Sequence, residues 1–158
     1  MRILYEPLTP EDGAEFFALA GDPRAAASMR FACPRTRQES DRILADYLAG
    51  ENRAFALRFR PGEPLWGIFA FRCEPGADTA SLSQMLAPEQ WGRGLGGQVL
   101  REMTALARRE GRYRALEGYI LEHNIASRRM AASAGFREER RLRFPGMTED
   151  LVVCRLEL

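Results

Sequence analysis

Apolar positions along this chain alternate between a period of two and a period near 3.6, and the switches between them lay out the elements. Residues 1–8 alternate weakly, which predicts an edge strand. Thr9-Pro10-Glu11-Asp12 then opens a helix whose apolar face carries Phe16, Phe17, Leu19 and Ala20 up to a stop at Gly21. Asp22-Pro23 begins a stretch expected to be irregular as far as Cys33-Pro34. Thr36-Arg37-Gln38-Glu39 reads as a capping box before Ile43, Leu44, Tyr47 and Leu48 at helical spacing, closed by Gly50. Period two returns with Phe55, Leu57 and Phe59, and Pro/Gly-rich turns separate strands at 65–72 and 79–86. Val99, Leu100, Met103, Leu106 and Ala107 predict a helix of about four turns. A strand at 116–121 follows, then a helix capped near Asn124 with Ile125, Met130 and Ala134 inward, then a closing hairpin over 136–144 and 151–158.

Between the third strand and the long helix, Gly92, Gly94, Gly96 and Gly97 fall within six residues of each other. Glycines let the backbone turn sharply and approach a ligand, and the free N–H groups of a helix start favour a phosphate. Arg93 adds a fixed positive charge to the same loop. The loop therefore predicts anion binding.

Composition removes several alternatives. A chain of 158 residues of ordinary apolar content is expected to form one domain, 1–158, with no linker, repeat or low-complexity segment. No apolar run approaches the roughly 20 residues of a membrane span, and the start lacks the apolar middle of a signal peptide, so a cytoplasmic location is expected. Cys33, Cys73 and Cys154 form no Cys-x-x-Cys pair and there is one histidine, which argues against a disulfide framework and a metal site. With a net charge of +1, the overall field points to neither nucleic acid nor membrane as partner. All 23 basic residues are arginine.

Two separated motifs give the pattern a family. Trp91-Gly92-Arg93-Gly94-Leu95-Gly96 resembles the (Gln/Arg)-x-x-Gly-x-(Gly/Ala) signature of the GNAT acetyltransferase superfamily, departing from it at Trp91. Pro88-Glu89-x-Trp91-Gly92-Arg93-Gly94 is similar to the form found in its ribosomal-protein N-terminal acetyltransferase branch. Asn124, Ser127, Met130 and Gly135-Phe136 match the family's second block in order and spacing. The resemblance covers the whole chain and implies an α/β (α+β) fold: a mixed, mostly antiparallel sheet of about seven strands, four main helices, and central strands that splay apart.

It also implies acetyl-CoA as acetyl donor, a primary amine on a protein N-terminus or small molecule as acceptor, and a homodimer as a common assembly. Main-chain groups around Met85, Leu86 and Ala87 would bond the pantetheine amides. The N–H groups from Arg93 through Gly94, Leu95 and Gly96 to Gly97 would cradle the pyrophosphate. Asn124, with Ser127 beside it, would reach the pantetheine arm, and Arg128 a phosphate. The amine would attack the thioester directly, with an oxyanion held near Leu86. The tyrosine that many relatives place seven residues after the motif asparagine is here Ala131, so the usual proton donor is missing. His123 is the candidate base, with Glu74, Glu117 and Tyr119 as alternates.

Two other readings compete. Gly92, Gly94 and Gly97 also satisfy Gly-x-Gly-x-x-Gly with Glu117 20 residues on, the pattern of a dinucleotide-binding oxidoreductase. Ala131 suits a non-catalytic acyl-CoA sensor or interaction module. The acceptor site would be shaped by the early helices and the closing hairpin, with Phe31, Trp66, Phe144 and Met147 either lining it or in the core.

Overall fold

A computed structural model describes residues 1–158. Seven strands form one sheet: β1 (Leu4–Pro7), β2 (Arg53–Arg58), β3 (Gly67–Arg72), β4 (Thr79–Leu86), β5 (Ala115–Leu121), β6 (Arg137–Leu142) and β7 (Leu151–Glu157). Their order across the sheet is β1-β2-β3-β4-β5-β7-β6. Every neighbouring pair is antiparallel except β4 with β5. Five helices complete the fold: α1 (Gly13–Ala20), α2 (Pro23–Ala26), α3 (Arg37–Tyr47), α4 (Leu95–Glu110) and α5 (Ile125–Ser133). Four of them are long enough to be main helices, as the pattern predicts.

The sheet separates two cores. In β3, Ile68 and Ala70 face one core with Phe16, Leu44 and Tyr47 from α1 and α3, while Phe69 and Phe71 face the other with Val99 and Met103 from α4. All four β3 side chains are fully buried because this central strand is covered on both faces. Phe69 and Phe71 meet edge to face at 5.1 Å, an arrangement that adds to their area burial.

Three local expectations are corrected. Thr9 opens a one-turn 3-10 helix, Pro10–Asp12, in which Thr9 N–H donates to Asp12 Oδ2 at 2.9 Å, and the α-helix proper begins at Gly13. The stretch expected to be irregular contains α2: Asp22 accepts from Arg24 N–H at 2.9 Å and Pro23 fills the first helical position. In α5, Ile125 is 46% exposed and Ala131 is the buried position. Ile125, at the helix start, packs against neither core, whereas Met130 and Ala134 pack against one of them as the spacing predicts.

Candidate active site

The sheet opens where its one parallel pair ends. β4 and β5 are paired only from Thr79 to Ser81 and from Ala115 to Glu117. Beyond that point both strands continue without each other, β4 to Leu86 and β5 to Leu121. Ala87 N–H donates to Trp66 O at 2.8 Å, and Gly67 stands opposite Leu86. Antiparallel alternation then aims the main chain of Met85 and Ala87 at β3, and that of Leu82, Gln84 and Leu86 into the gap. On the other side Glu122 N–H donates to Asp150 O, so the main chain of Tyr119 and Leu121 faces the gap from β5. Unpaired main-chain groups on both walls need partners, and an extended chain of amides could supply them.

Some of these groups are already satisfied. Trp91 Nε1 donates to Leu86 O at 3.1 Å, and Asn124 N–H donates to Leu121 O at 2.9 Å. The N–H of Leu86 remains as a donor in the gap. Gln84 donates through Nε2 to Gly96 O at 3.2 Å, while its buried Oε1 has no partner.

The glycine loop closes one end of the gap. Gly92 and Gly94 have φ of 74° and 76°, a left-handed conformation in which only glycine is unstrained. No side chain caps α4, and its first internal bond runs from Gln98 N–H to Gly94 O. The N–H groups of Leu95, Gly96 and Gly97 therefore lack helical partners and point out of the helix start. The positive end of the α4 dipole lies behind them. Arg93 does not join this cradle: its guanidinium bonds Gln90 and lies 5.8 Å from the centre of the Phe59 ring, outside the cleft.

A cleft of about 1310 Å³ runs from this loop through the gap and out on the opposite face. Of the residues expected at the site, Met85, Leu86, Gly92, Gly94, Leu95, Gly96, Gly97, His123, Asn124 and Ser127 line it; Ala87, Arg93 and Arg128 do not. Asn124 Oδ1 caps α5 by accepting from Ser127 N–H at 3.2 Å, leaving its amide nitrogen free toward the cleft. Arg128 is a clamp: Nε and Nη2 bond Glu138 at 2.8 and 3.1 Å, and Nη1 bonds Glu122 O at 2.9 Å.

His123 stands at the mouth. Its N–H and its Nδ1 both bond Glu149, at 2.9 and 2.7 Å, and Nε2 has no protein partner. These bonds, the main-chain one first, hold the Glu149 carboxyl below its ordinary value. Among the alternates, Glu74 sits in the β3–β4 turn away from the cleft. Glu117 bonds Arg140 at 3.1 Å and Arg155 at 3.5 Å and accepts from Tyr119 OH at 3.3 Å, so it is committed to the sheet. Tyr119 lines the cleft, and burial raises its phenol above the ordinary value, with the Glu117 charge adding to the shift. It is a donor at neutral pH rather than a base.

The opposite face of the cleft is walled by residues between α1 and α3 and by the loop between β6 and β7. Phe31, Phe144 and Met147 line it, whereas Trp66 is core, stacked on Phe59 at 4.8 Å. Tyr47 OH and Ser83 Oγ share a hydrogen bond of 2.6 Å that ties α3 to β4. Gln84, Trp91, Tyr47 and Glu149 were not singled out by sequence for these roles. Only Trp91 carried a signal, its departure from the signature.

The oxidoreductase reading fails on topology. A dinucleotide fingerprint belongs in a mostly parallel, doubly wound sheet, whereas here β4 and β5 form the sheet's one parallel pair, over three residues of each strand, and every other pair is antiparallel.

A family model described as "Acetyltransferase (GNAT) domain" matches residues 2–137. No curated protein matches the sequence. Solved structures share the fold at low identity. A GNAT-family acetyltransferase from Bacillus anthracis superposes with a TM-score of 0.83 at 15% identity, covering 99% of this chain and 95% of that one. A spermidine N-acetyltransferase from Vibrio cholerae, in complex with CoA and spermine, gives 0.83 at 14% identity over 98% and 95%. A ribosomal L7/L12 alpha-N-protein acetyltransferase in complex with coenzyme A gives 0.83 at 16% over 99% and 94%. With most of its length matched by the family model, and with the splayed strands and glycine-started helix in place, the chain belongs to the GNAT acetyltransferase domain family.

Proposed function

We propose that the protein transfers an acetyl group from acetyl-CoA to a primary amine by direct attack. The observation that carries this reading is the gap between β4 and β5, which joins the α4 start to the opposite face through one cleft. The residues present fit the donor. Leucine 86 offers an N–H, Gln84 an unpartnered oxygen, and the α4 start three free N–H groups for a pyrophosphate. A Cβ on Gly92 or Gly94 would meet nothing within 4 Å, so the loop face is open. When bound, acetyl-CoA supplies an acyl group activated as a thioester.

The protein's part is to hold, orient and deprotonate. Leu86 N–H, at the end of β4, is a main-chain donor facing the gap and suits a developing negative charge on oxygen. His123 accepts the proton from the attacking amine at Nε2, while Glu149 fixes the ring through Nδ1. Ala131 is buried and gives no proton to the leaving sulfur. That is tolerable because thiols ordinarily titrate near about 8.5. All three cysteines are free, which fits a reducing, cytoplasmic setting.

The test is release of CoA thiol from acetyl-CoA across a panel of amines, alongside calorimetric binding of acetyl-CoA. Turnover with at least one amine supports the reading. Tight acetyl-CoA binding with no turnover on protein N-termini, amino acids, polyamines or aminoglycosides would favour the acyl-CoA sensor instead.

A further inference from the structure

The acceptor side of the cleft has an unbalanced set of charges. The charged side chains lining it on the α2–α3 side are Arg24, Arg30, Arg42, Asp46 and Arg72. Asp46, the one carboxylate, is ion-paired with Arg72, whose guanidinium also lies 4.7 Å from the Tyr47 ring centre. Arg24 is held by Asp22 at 2.8 Å and by Glu89 at 3.5 Å. Arg30 and Arg42 pair with no carboxylate.

The carboxylates on the elements around this part of the cleft are engaged elsewhere. Glu117 is bound by two arginines and by Tyr119 OH, and its side chain is 12% exposed. Glu39, one turn before Arg42 on α3, accepts from Arg35 N–H at 2.7 Å. Glu149 is bound to His123 at the other rim. The cleft thus offers no free carboxylate to a second ammonium group and two free guanidinium groups to an anion. Arg30 is also held in place, since its guanidinium lies 4.9 Å from the centre of the Tyr119 ring at the β5 edge of the gap. A guanidinium positioned in this way matches a carboxylate bidentately.

Resting on the acetyl-transfer reading, we propose that the acceptor is a small amine carrying a carboxylate, an amino acid or a close relative, with Arg30 and Arg42 binding that carboxylate while the amine faces the gap. A polyamine is disfavoured by the same charges. This assigns the acceptor by charge, which neither the fold nor the glycine loop could do.

The test uses the full chain and three sets of probes: the protein amino acids, their C-terminal amides, and spermidine. CoA release is measured for each, and binding of each to the protein loaded with CoA is measured by calorimetry, so that recognition is read even without turnover. At least one amino acid is expected to bind and react in preference to its own amide. Arg30→Gln and Arg42→Gln should each raise the KM or Kd for that amino acid by roughly tenfold to a hundredfold, the loss of a charge-assisted hydrogen bond, with acetyl-CoA affinity unchanged. Both side chains are unpaired and exposed, so the variants should fold, as checked by their melting temperatures. Preference for amides or for spermidine, or amino acid affinity unaffected by both substitutions, overturns the proposal while leaving acetyl transfer standing. Failure to bind acetyl-CoA at all would instead sink the reading on which it rests, and this proposal with it.

Discussion

Trp91 Nε1 donates to the main-chain oxygen of Leu86 across 3.1 Å, pinning the glycine loop to the last residue of β4. The bond satisfies the one gap-facing carbonyl at this end and leaves the Leu86 N–H free. Trp91→Phe keeps the ring and removes the bond. It should weaken acetyl-CoA binding by a few-fold to about tenfold, the worth of one hydrogen bond. Unchanged calorimetric affinity in a folded variant would show that the loop holds its place without it.

Gly94 and Gly96 are required for different reasons. Gly94 has φ of 76° with open space around a would-be Cβ, so alanine there suffers only the left-handed backbone penalty of about 1–2 kcal/mol. If binding uses that conformation, Gly94→Ala should weaken acetyl-CoA about five- to thirtyfold. A Cβ on Gly96 would lie 3.1 Å from Gln84 Nε2 and 3.2 Å from Met130 Sδ, both ends of flexible side chains that can give way. Gly96→Ala should therefore cost less affinity than Gly94→Ala, and the reverse ranking would contradict the conformational argument.

His123 and Glu149 form a pair in which only the histidine faces the reaction. His123→Ala should lower kcat about a hundredfold with the affinity for acetyl-CoA intact. Glu149→Ala should lower it less, since the ring stays while its orientation is lost. Equal rates in wild type and His123→Ala across the pH range would remove the base from this position. Because the Glu149 carboxyl is held below its ordinary value of 4.5, the contact stabilises the folded rim above that value and is lost as pH falls through the lower folded value. The side-chain carboxyl carbon resonance of Glu149 should therefore titrate with a midpoint below 4.5; a midpoint at or above that value would contradict the assignment.

Arg128 serves the fold, through Glu138 and the carbonyl of Glu122. Arg128→Gln should lower the denaturation midpoint without changing the salt dependence of acetyl-CoA binding. A flatter salt dependence would place the guanidinium on a phosphate after all.

Most of the elements were legible because their signals are local. The bounds 79–86 of β4 and the start of α4 follow from alternation meeting a glycine cluster, and both lie where the pattern puts them. The splay of β4 and β5 came from the family resemblance, since no residue in either strand announces where pairing stops. α2 does carry a local signal, since Asp22-Pro23 is a cap followed by a first-turn proline. Periodicity gives the inward face of α5 but not where the helix first meets the sheet, so the exposure of Ile125 is not legible from it.

Side-chain commitments were less legible still. Arg93 and Arg128 look in sequence like phosphate ligands, and their partners, Gln90 with Phe59 and Glu138 with Glu122, are set by tertiary packing. Arg30 and Arg42 look like any solvated arginine. Their meaning depends on which carboxylates are already taken, which only the folded chain decides.

The central claim is that the gap beside Leu86 receives the donor. Amide hydrogen exchange at Leu86, with and without acetyl-CoA, tests it most directly. Leu86, Gly96 and Gly97 N–H should gain protection on addition, whereas Ala87 N–H, already bonded to Trp66, should not change. Acetyl-CoA binding with no added protection at Leu86 would contradict the account.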